Sequence, residues 1–305
     1  MDFIYNAVNI INDVHLTKAI INDTAGGMAD SIELEFSDIK NEWRNWSVKK
    51  GDTVQLIKGE FKSGIMFVDS FGLSSGKFKI YAKSTPLKAK ELICRTWENI
   101  SFIQMASELA LVLGLKLKTY GIQEFRYKRL DLLNRTPLGY LNERCILEGY
   151  ALKVTDNKLV IFNERDMEQS QTIKEFDSTE FEGGYEFNTK GNSLYSSCIV
   201  KCYSEENQLI EYEFKSNVIG PKLIKDIKVD SLGEAERYSK NLLRYENKFE
   251  TIGSFTIRLD DKLASGNVIN IKLNDFSGKY FIYGIRHDLI NNKSSLKVRR
   301  VLEGY

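Results

Sequence analysis

The sequence predicts a mainly β protein with an α/β insertion, and three observations predict it. Apolar residues alternate with period two near both ends of the chain. The two ends resemble each other in strand order and glycine spacing, and between them the period changes to that of helices. Two antiparallel β-barrels from an internal duplication, plus a small helix/hairpin domain, are therefore expected. The boundaries fall at 1–88, 89–165 and 166–305.

In the first copy Ile32, Leu34 and Phe36 share one face of a strand, with Glu33 and Glu35 on the other. Gly51 then precedes a strand carrying Val54 and Leu56, and Gly64 one carrying Met66 and Val68. A last strand brings Phe78 and Ile80. The second copy has the alternating Phe255, Ile257 and Leu259. Gly266 then precedes Ile269 and Ile271, Gly278 precedes Tyr280 and Ile282, and Leu296 and Val298 come last. The paired glycines lie 13 residues apart in one copy and 12 in the other. Each copy is a meander best satisfied as a small barrel or a sandwich. Chance likeness between two meanders is the alternative, because alternation is generic. The first copy alone has the loop "IKNEWRNWSVKK" with Trp43 and Trp46. These residues either close one end of the barrel or serve as contact anchors at an interface.

Between the copies, Ser101 and Gln104 form a capping box and Gly114 a stop. Ile103, Ala106, Leu109, Ala110 and Leu113 make the apolar stripe of that helix. A second helix has Thr136 as cap, Pro137 at its first position and Gly149 at its end. "ALKVT" and "KLVIF" flank Asp156-Asn157, a two-residue hairpin signal. Further on, "LYSSCIVKCY" and "LIEYEF" form a hairpin with the loop "SEEN". A third helix near 231–246 is capped by Ser231 and Glu234, with Ala235, Tyr238, Leu242 and Tyr245 on its apolar side. It is expected to pack across the outside of the second barrel.

Composition narrows the function. Lys plus Arg number 43 and Asp plus Glu 42, so the basic excess of a general nucleic-acid binder is missing. No signal peptide is read in "MDFIYNAVNI", and "FIQMASELALVLGL" is too short to span a bilayer; a soluble protein made in a cytoplasm is expected. Of the four cysteines, Cys198 and Cys202 share a strand face. They read as buried β cysteines rather than zinc ligands, since only His15 and His287 could complete a site. His287 reads as a structural histidine on a strand, and Asp260-Asp261 as turn carboxylates rather than a glycosidase pair. No phosphate loop, dinucleotide fingerprint or nucleophile elbow is present. No catalytic residue, metal or cofactor is expected.

The stretch "AGGMADSIELEFSD", a Trp-containing loop and "KKGDTVQLIKG" resemble the N-terminal barrel of the late control D type tail hub proteins of contractile phage tails and tail-like particles. "SFIQMASELALVLGLKL" and "DLLNRTPLGYLNERCILEGYALKVTDNKLVIF" resemble that family's insertion. "GEAERYSKNLL", "GSFTIRLDDKLASGNVINIKL" and "GKYFIYGIRHDL" resemble its second barrel. The hub part of type VI secretion spike proteins is similar. The resemblance implies two tube-like barrels per chain and a homotrimer whose six barrels join a six-fold tail tube to a three-fold central spike. The implied partners are the tail tube protein, the spike and other baseplate proteins, with DNA or tape measure passing through a channel. The implied location is the virion tail baseplate or a tail-like particle, with the spike and any lysozyme as separate proteins. Lys77, Lys79, Lys297 and Arg299 are expected to face the lumen or outer water. A peptidoglycan- or carbohydrate-binding module is the alternative function.

Overall fold

The computed structural model describes every residue except Ser193 and Glu205. The first 83 residues form β1 (Asp2–Tyr5), β2 (Val8–Asn9), β3 (His15–Thr24), β4 (Ser31–Ser37), β5 (Thr53–Lys58), β6 (Phe61–Lys62), β7 (Met66–Ser74) and β8 (Lys77–Lys83). The middle of the chain adds β9 (Ile93–Ser101), α1 (Phe102–Leu113), β10 (Lys116–Tyr120), β11 (Arg126–Arg135), α2 (Pro137–Glu148), β12 (Tyr150–Thr155), β13 (Lys158–Asn163) and α3 (Glu164–Gln169). Then follow β14 (Lys174–Asp177), β15 (Glu186–Thr189), β16 (Ser197–Tyr203), β17 (Leu209–Lys215), β18 (Lys222–Asp226) and α4 (Leu232–Asn247). The last strands are β19 (Thr251–Arg258), β20 (Val268–Lys272), β21 (Gly278–Asp288) and β22 (Lys293–Arg300).

Six strands of the first part lie in the order β3-β4-β8-β7-β5-β1, and six of the last part in the order β15-β19-β22-β21-β20-β14. Strand for strand the orders match, and the irregularities match too. The ladder β7–β8 shifts register between Val68 and Ser70, and the ladder β21–β22 between Ile282 and Gly284. The Gly51 amide donates to the Val68 carbonyl at 2.8 Å, and the Gly266 amide to the Ile282 carbonyl at 2.8 Å. Both glycines need the left-handed backbone region, with φ of 89° and 90°. One pairing differs: β1 is antiparallel to β5, whereas β14 is parallel to β20.

The shared bulge sets the correspondence of the last strands. Val68 faces Ala82 and Ile282 faces Val298, so Ile80 corresponds to Leu296 and Ala82 to Val298. The sequence expectation, which set Phe78 and Ile80 beside Leu296 and Val298, is two residues out because period-two alternation looks the same after any even shift and so does not fix the register between the copies. Each unit wraps its own apolar core. Phe3, Leu34, Phe36, Val54, Leu56 and Val68 fill one; Phe176, Phe255, Ile257, Ile269, Ile271 and Ile282 fill the other. Among the described residues neither unit closes as a barrel. The edge of β3 is taken by β21, which merges both units into one 14-stranded sheet.

The middle segment folds around a separate core of Phe102, Met105, Leu109, Tyr140, Leu141 and Leu159. The capping box of α1 forms as read, with reciprocal bonds between Ser101 and Gln104, and Gly114 ends the helix at φ 69°. Thr136 caps α2 and Gly149 ends it at φ 76°. Asp156 and Asn157 turn the β12–β13 hairpin with φ of 48° and 55°, the geometry of a type I′ turn. The β9–β11 ribbon and the strand β10, parallel to β13, were not read from the sequence. Helix α4 starts at the Ser231 cap but packs on a separate three-stranded sheet, β17-β16-β18, and against α2. Ala235, Tyr238, Leu242 and Leu243 meet Cys198, Val200 and Leu223 there. The loop joining β16 to β17 contains Glu205 and so lies partly outside the described residues.

Candidate assembly surfaces and the junctions behind them

Trp43 and Trp46 lie on a short 3-10 turn, Glu42–Trp46, entered and left through the left-handed residues Asn41 and Ser47. The Trp43 amide donates to Asp38 Oδ1 at 3.2 Å. Its ring stacks on Phe78 at 4.6 Å with 7° between planes and lies 4.5 Å from Phe36. At 3% exposure Trp43 is a plug in the first core. Trp46 is half-buried, edge-on to Tyr5 at 6.4 Å and 6.3 Å from Trp43.

The face of the large sheet turned away from both cores is polar. On it Lys18 bonds Glu33 at 2.7 Å, and Glu35 takes Lys77 at 2.6 Å and Lys79 at 3.7 Å. These are cross-strand pairs of opposite charge. The ammonium of Lys18 holds the Glu33 carboxyl below the usual range, and Lys77 does the same to Glu35. Where the units meet, this face forms a cavity of about 420 Å³ lined by Asn22, Thr24, Ser254, Arg286 and Lys297, with Met28 at its rim. Lys77, Lys79 and Lys297 are exposed here, as the sequence suggests.

Arg299 is not. It is fully buried beneath α3, and its guanidinium meets Glu164 at 3.1 Å and Glu168 at 2.5 Å. Arg244 joins the same carboxylates at 2.9 and 2.6 Å, and Lys248 reaches Glu164 at 3.1 Å. Burial alone would raise the Glu164 pKa; Arg299, Lys248 and Arg244 together hold it well below the carboxylate range. Burial, with help from Arg299 and Arg244, pushes the Lys248 pKa down. This knot ties the end of the insertion to β22 and α4. Its signal in sequence was weak: two carboxylates four apart in "NERDMEQ", one face of a helix too short to announce itself by periodicity.

A second junction ties the insertion to both units. Lys153 of β12 pairs with Asp23 of β3 and lies 3.3 Å from Asp30 and 2.9 Å from Ser265 Oγ. The Ser265 amide also donates to Asp23 at 2.8 Å. One lysine thus serves two buried carboxylates. Burial pushes the Asp30 pKa up to about 6, against the pull of Lys153 and with a further push from Asp23. His287 is buried in the fold, its Nδ1 2.9 Å from Ser294 Oγ and its ring 5.0 Å from Phe61. Cys198 and Cys202 both lie against the α4 core, and Asp260 accepts the Lys262 amide in a turn at 3.1 Å. Among the described residues no three His, Cys, Asp or Glu side chains gather as a metal-binding group, and no helix is long and apolar enough to cross a membrane.

Among the described residues several strand edges stay open, and two of them belong to corresponding places in the two repeated units. β21 gives its first half to β20 and its second half to β3. In the other unit β7 gives its first half to β5, but residues 70–74 meet only β8. Phe71 and Leu73 on this stretch are 43% and 60% exposed. β15, at the far end of the sheet, pairs only with β19.

No family model matches the chain, and no curated protein matches it in sequence. Solved structures do match in fold. The 43 kDa tail protein of prophage MuSo2 from Shewanella oneidensis superposes with a TM-score of 0.77 at 13% identity, covering 98% of each chain. The tail protein from Neisseria meningitidis gives 0.76 at 12% identity, over 98% of this chain and 95% of that one. A component of the E. coli type VI secretion system, itself similar in structure to the T4 phage tail proteins gp27 and gp5, gives 0.57 at 10% identity over 96% of this chain and 76% of its own. The fold of this chain is the one found in those phage tail and type VI secretion proteins.

Proposed function

We propose that the chain is a structural baseplate hub of a contractile phage tail or tail-like particle, a trimeric adaptor that joins a six-fold tail tube to a three-fold central spike. The observation that carries this reading is the repetition within one chain of a six-strand order, down to the bulge and the glycine hydrogen bond. A subunit with two equivalent units converts three-fold symmetry of chains into approximate six-fold symmetry of units. The likeness in fold to phage tail proteins over nearly the whole chain supports the same setting.

In this reading residues 1–88 and 166–305 supply the two tube-like units, and 89–165 the decoration on the outside of the ring, where other baseplate proteins are met. The polar face carrying Lys18, Glu33, Glu35, Lys79 and Lys297 lines the channel. Its charges are largely neutralised in cross-strand pairs, which suits passage of DNA or tape measure without tight retention. Trp46, half-open at one end of the first unit, is the tryptophan that reaches a partner, with Trp43 supporting it from the core. The role is structural rather than catalytic.

Light scattering of the purified protein, alone and co-expressed with its spike protein, tests the reading. A mass near three times 35.1 kDa, or a three-chain complex with the spike, is expected. A protein that is monomeric in both and binds purified cell walls overturns it.

A further inference from the structure

The seam within the chain is a template for the seam between chains. Inside the chain, the second half of β21 lies antiparallel to β3: Ile285 faces Asp23, Arg286 faces Asn22, and His287 faces Ile21. The strand that corresponds to β21 in the first unit is β7, and the strand that corresponds to β3 in the second unit is β15. The match follows from the ladders. Val68 and Ile282 occupy the same place beside the bulge, so Phe71, Gly72 and Leu73 correspond to Ile285, Arg286 and His287. Ile21 faces Ile32 across β3–β4, and Phe187 faces Gly253 across β15–β19. Ile32 and Gly253 hold the same place opposite Ala82 and Val298. Phe187 therefore corresponds to Ile21, Asn188 to Asn22 and Thr189 to Asp23.

The residues at the open edge carry the mark of a missing neighbour. Ile285 is 3% exposed in the core of its own unit, and His287 is fully buried, its ring 5.0 Å from Phe61, on a half-strand that is paired with β3. Their counterparts Phe71 and Leu73 are apolar and exposed, on a strand whose backbone groups face no ladder partner on that side among the described residues. Such an edge is a pairing site, and an uncovered long one is normally blunted by charge or proline. Residues 70–74 carry neither.

We infer that the occupant is a second copy of this chain: residues 70–74 of β7 pair antiparallel with β15 of the next chain, Phe71 facing Thr189, Gly72 facing Asn188 and Leu73 facing Phe187. The contact is head-to-tail, because β7 and β15 are different surfaces, so it generates a ring when its rotation closes. Repeating the intrachain step between chains makes every unit-to-unit seam alike and continues one sheet around the ring. The number of chains, three, rests on the hub reading; the seam itself rests on the two open edges.

Cysteine cross-linking tests the register in the full chain. In a Cys94→Ser background, which removes the exposed native thiol, Gly72→Cys is combined with Asn188→Cys. Both positions lie on the polar face, and a Cβ at Gly72 meets no atom within 4 Å. Mild oxidation with copper phenanthroline is expected to give reducible covalent three-chain species. The offset pair Ser70→Cys with Glu186→Cys is expected to give none, since their Cα atoms would lie too far apart for a disulfide. Separately, Leu73→Asp is expected to abolish the three-chain species while the circular dichroism of the single chain is retained. A three-chain species with no disulfide between the thiols introduced at Gly72 and Asn188, or with the offset pair bonding equally, overturns the seam and leaves the hub reading standing. A monomer at every concentration, with and without the spike, overturns both.

Discussion

The second halves of β7 and β21 are the same piece of fold in two situations. In β21 that half is paired with β3, and Ile285 and His287 are buried. In β7 it has no described strand on that side, and Phe71 and Leu73 face outward. The same holds one strand away. Arg299 and Lys83 follow corresponding residues, Val298 and Ala82, yet Arg299 is fully buried in a five-member charge knot while Lys83 makes a partly exposed pair with Asp69 at 3.0 Å. Duplicated units share a scaffold of bulges and glycines; their differences mark what each unit touches. The second unit is covered by the insertion and by the first unit, and the first unit has an open side.

Arg299→Met breaks this comparison most severely. It leaves Glu164 and Glu168 buried with fewer cations, and is expected to cost about 3–5 kcal/mol in urea unfolding. Trp43→Ala removes the ring stacked between Phe36 and Phe78 and is expected to cost about 3–5 kcal/mol, whereas half-open Trp46→Ala costs about 1 kcal/mol. That contrast separates core plug from contact anchor within one loop, and is read by thermal melting of the two variants.

Asp30 gives a pH-dependent difference. Its folded pKa, about 6, is raised above the unfolded carboxylate value, so the group contributes stability below about pH 4 that is lost as pH rises through 6. Asp30→Asn should therefore stabilise the protein near pH 7.5 by up to about 3 kcal/mol and flatten that part of the pH profile. His287 acts in the opposite direction: burial lowers its folded pKa, so its contribution is present at pH 7.5 and falls away as pH drops below its unfolded value. His287→Leu, which installs the residue of the other unit, should remove an acid sensitivity of at most about 1.4 kcal/mol per pH unit. Lys83→Ala is the smallest change expected, about 0–1 kcal/mol, and sharpens the contrast with Arg299.

Much of this architecture could be read from residue patterns. Alternation placed the strands around Ile32–Phe36 and Phe255–Leu259, glycine spacing linked the copies, and Ser101, Thr136 and Ser231 marked three helix starts that the structure contains. The β9–β11 ribbon was missed because little of β9 is buried beyond Trp97, Ile100 and Ser101, which leaves no regular alternation. Arg299 was misjudged because it lies on a polar strand face, and the element that buries it, α3, comes about 130 residues earlier. The open edges were invisible for a similar reason. "FGLSS" looks like any strand end until the strand beside its counterpart is known. Trp43 and Trp46 could not be told apart by sequence, since a plug and its half-open neighbour have the same residue type.

The ladder between β3 and β21 also orders events during synthesis. β3 is complete within the first 24 residues, but its partner spans residues 284–288, so one of the longest loops in the chain must close before that edge is covered. Until then a nascent chain displays β3 as a bare strand flanked by a finished unit, a template for wrong pairing. The same delay has a protective side. A ring seam of the proposed kind needs β15 held against β19, so a chain that has not reached residues 251–258 has no ordered β15 to offer, and assembly waits for the ribosome to deliver the second unit.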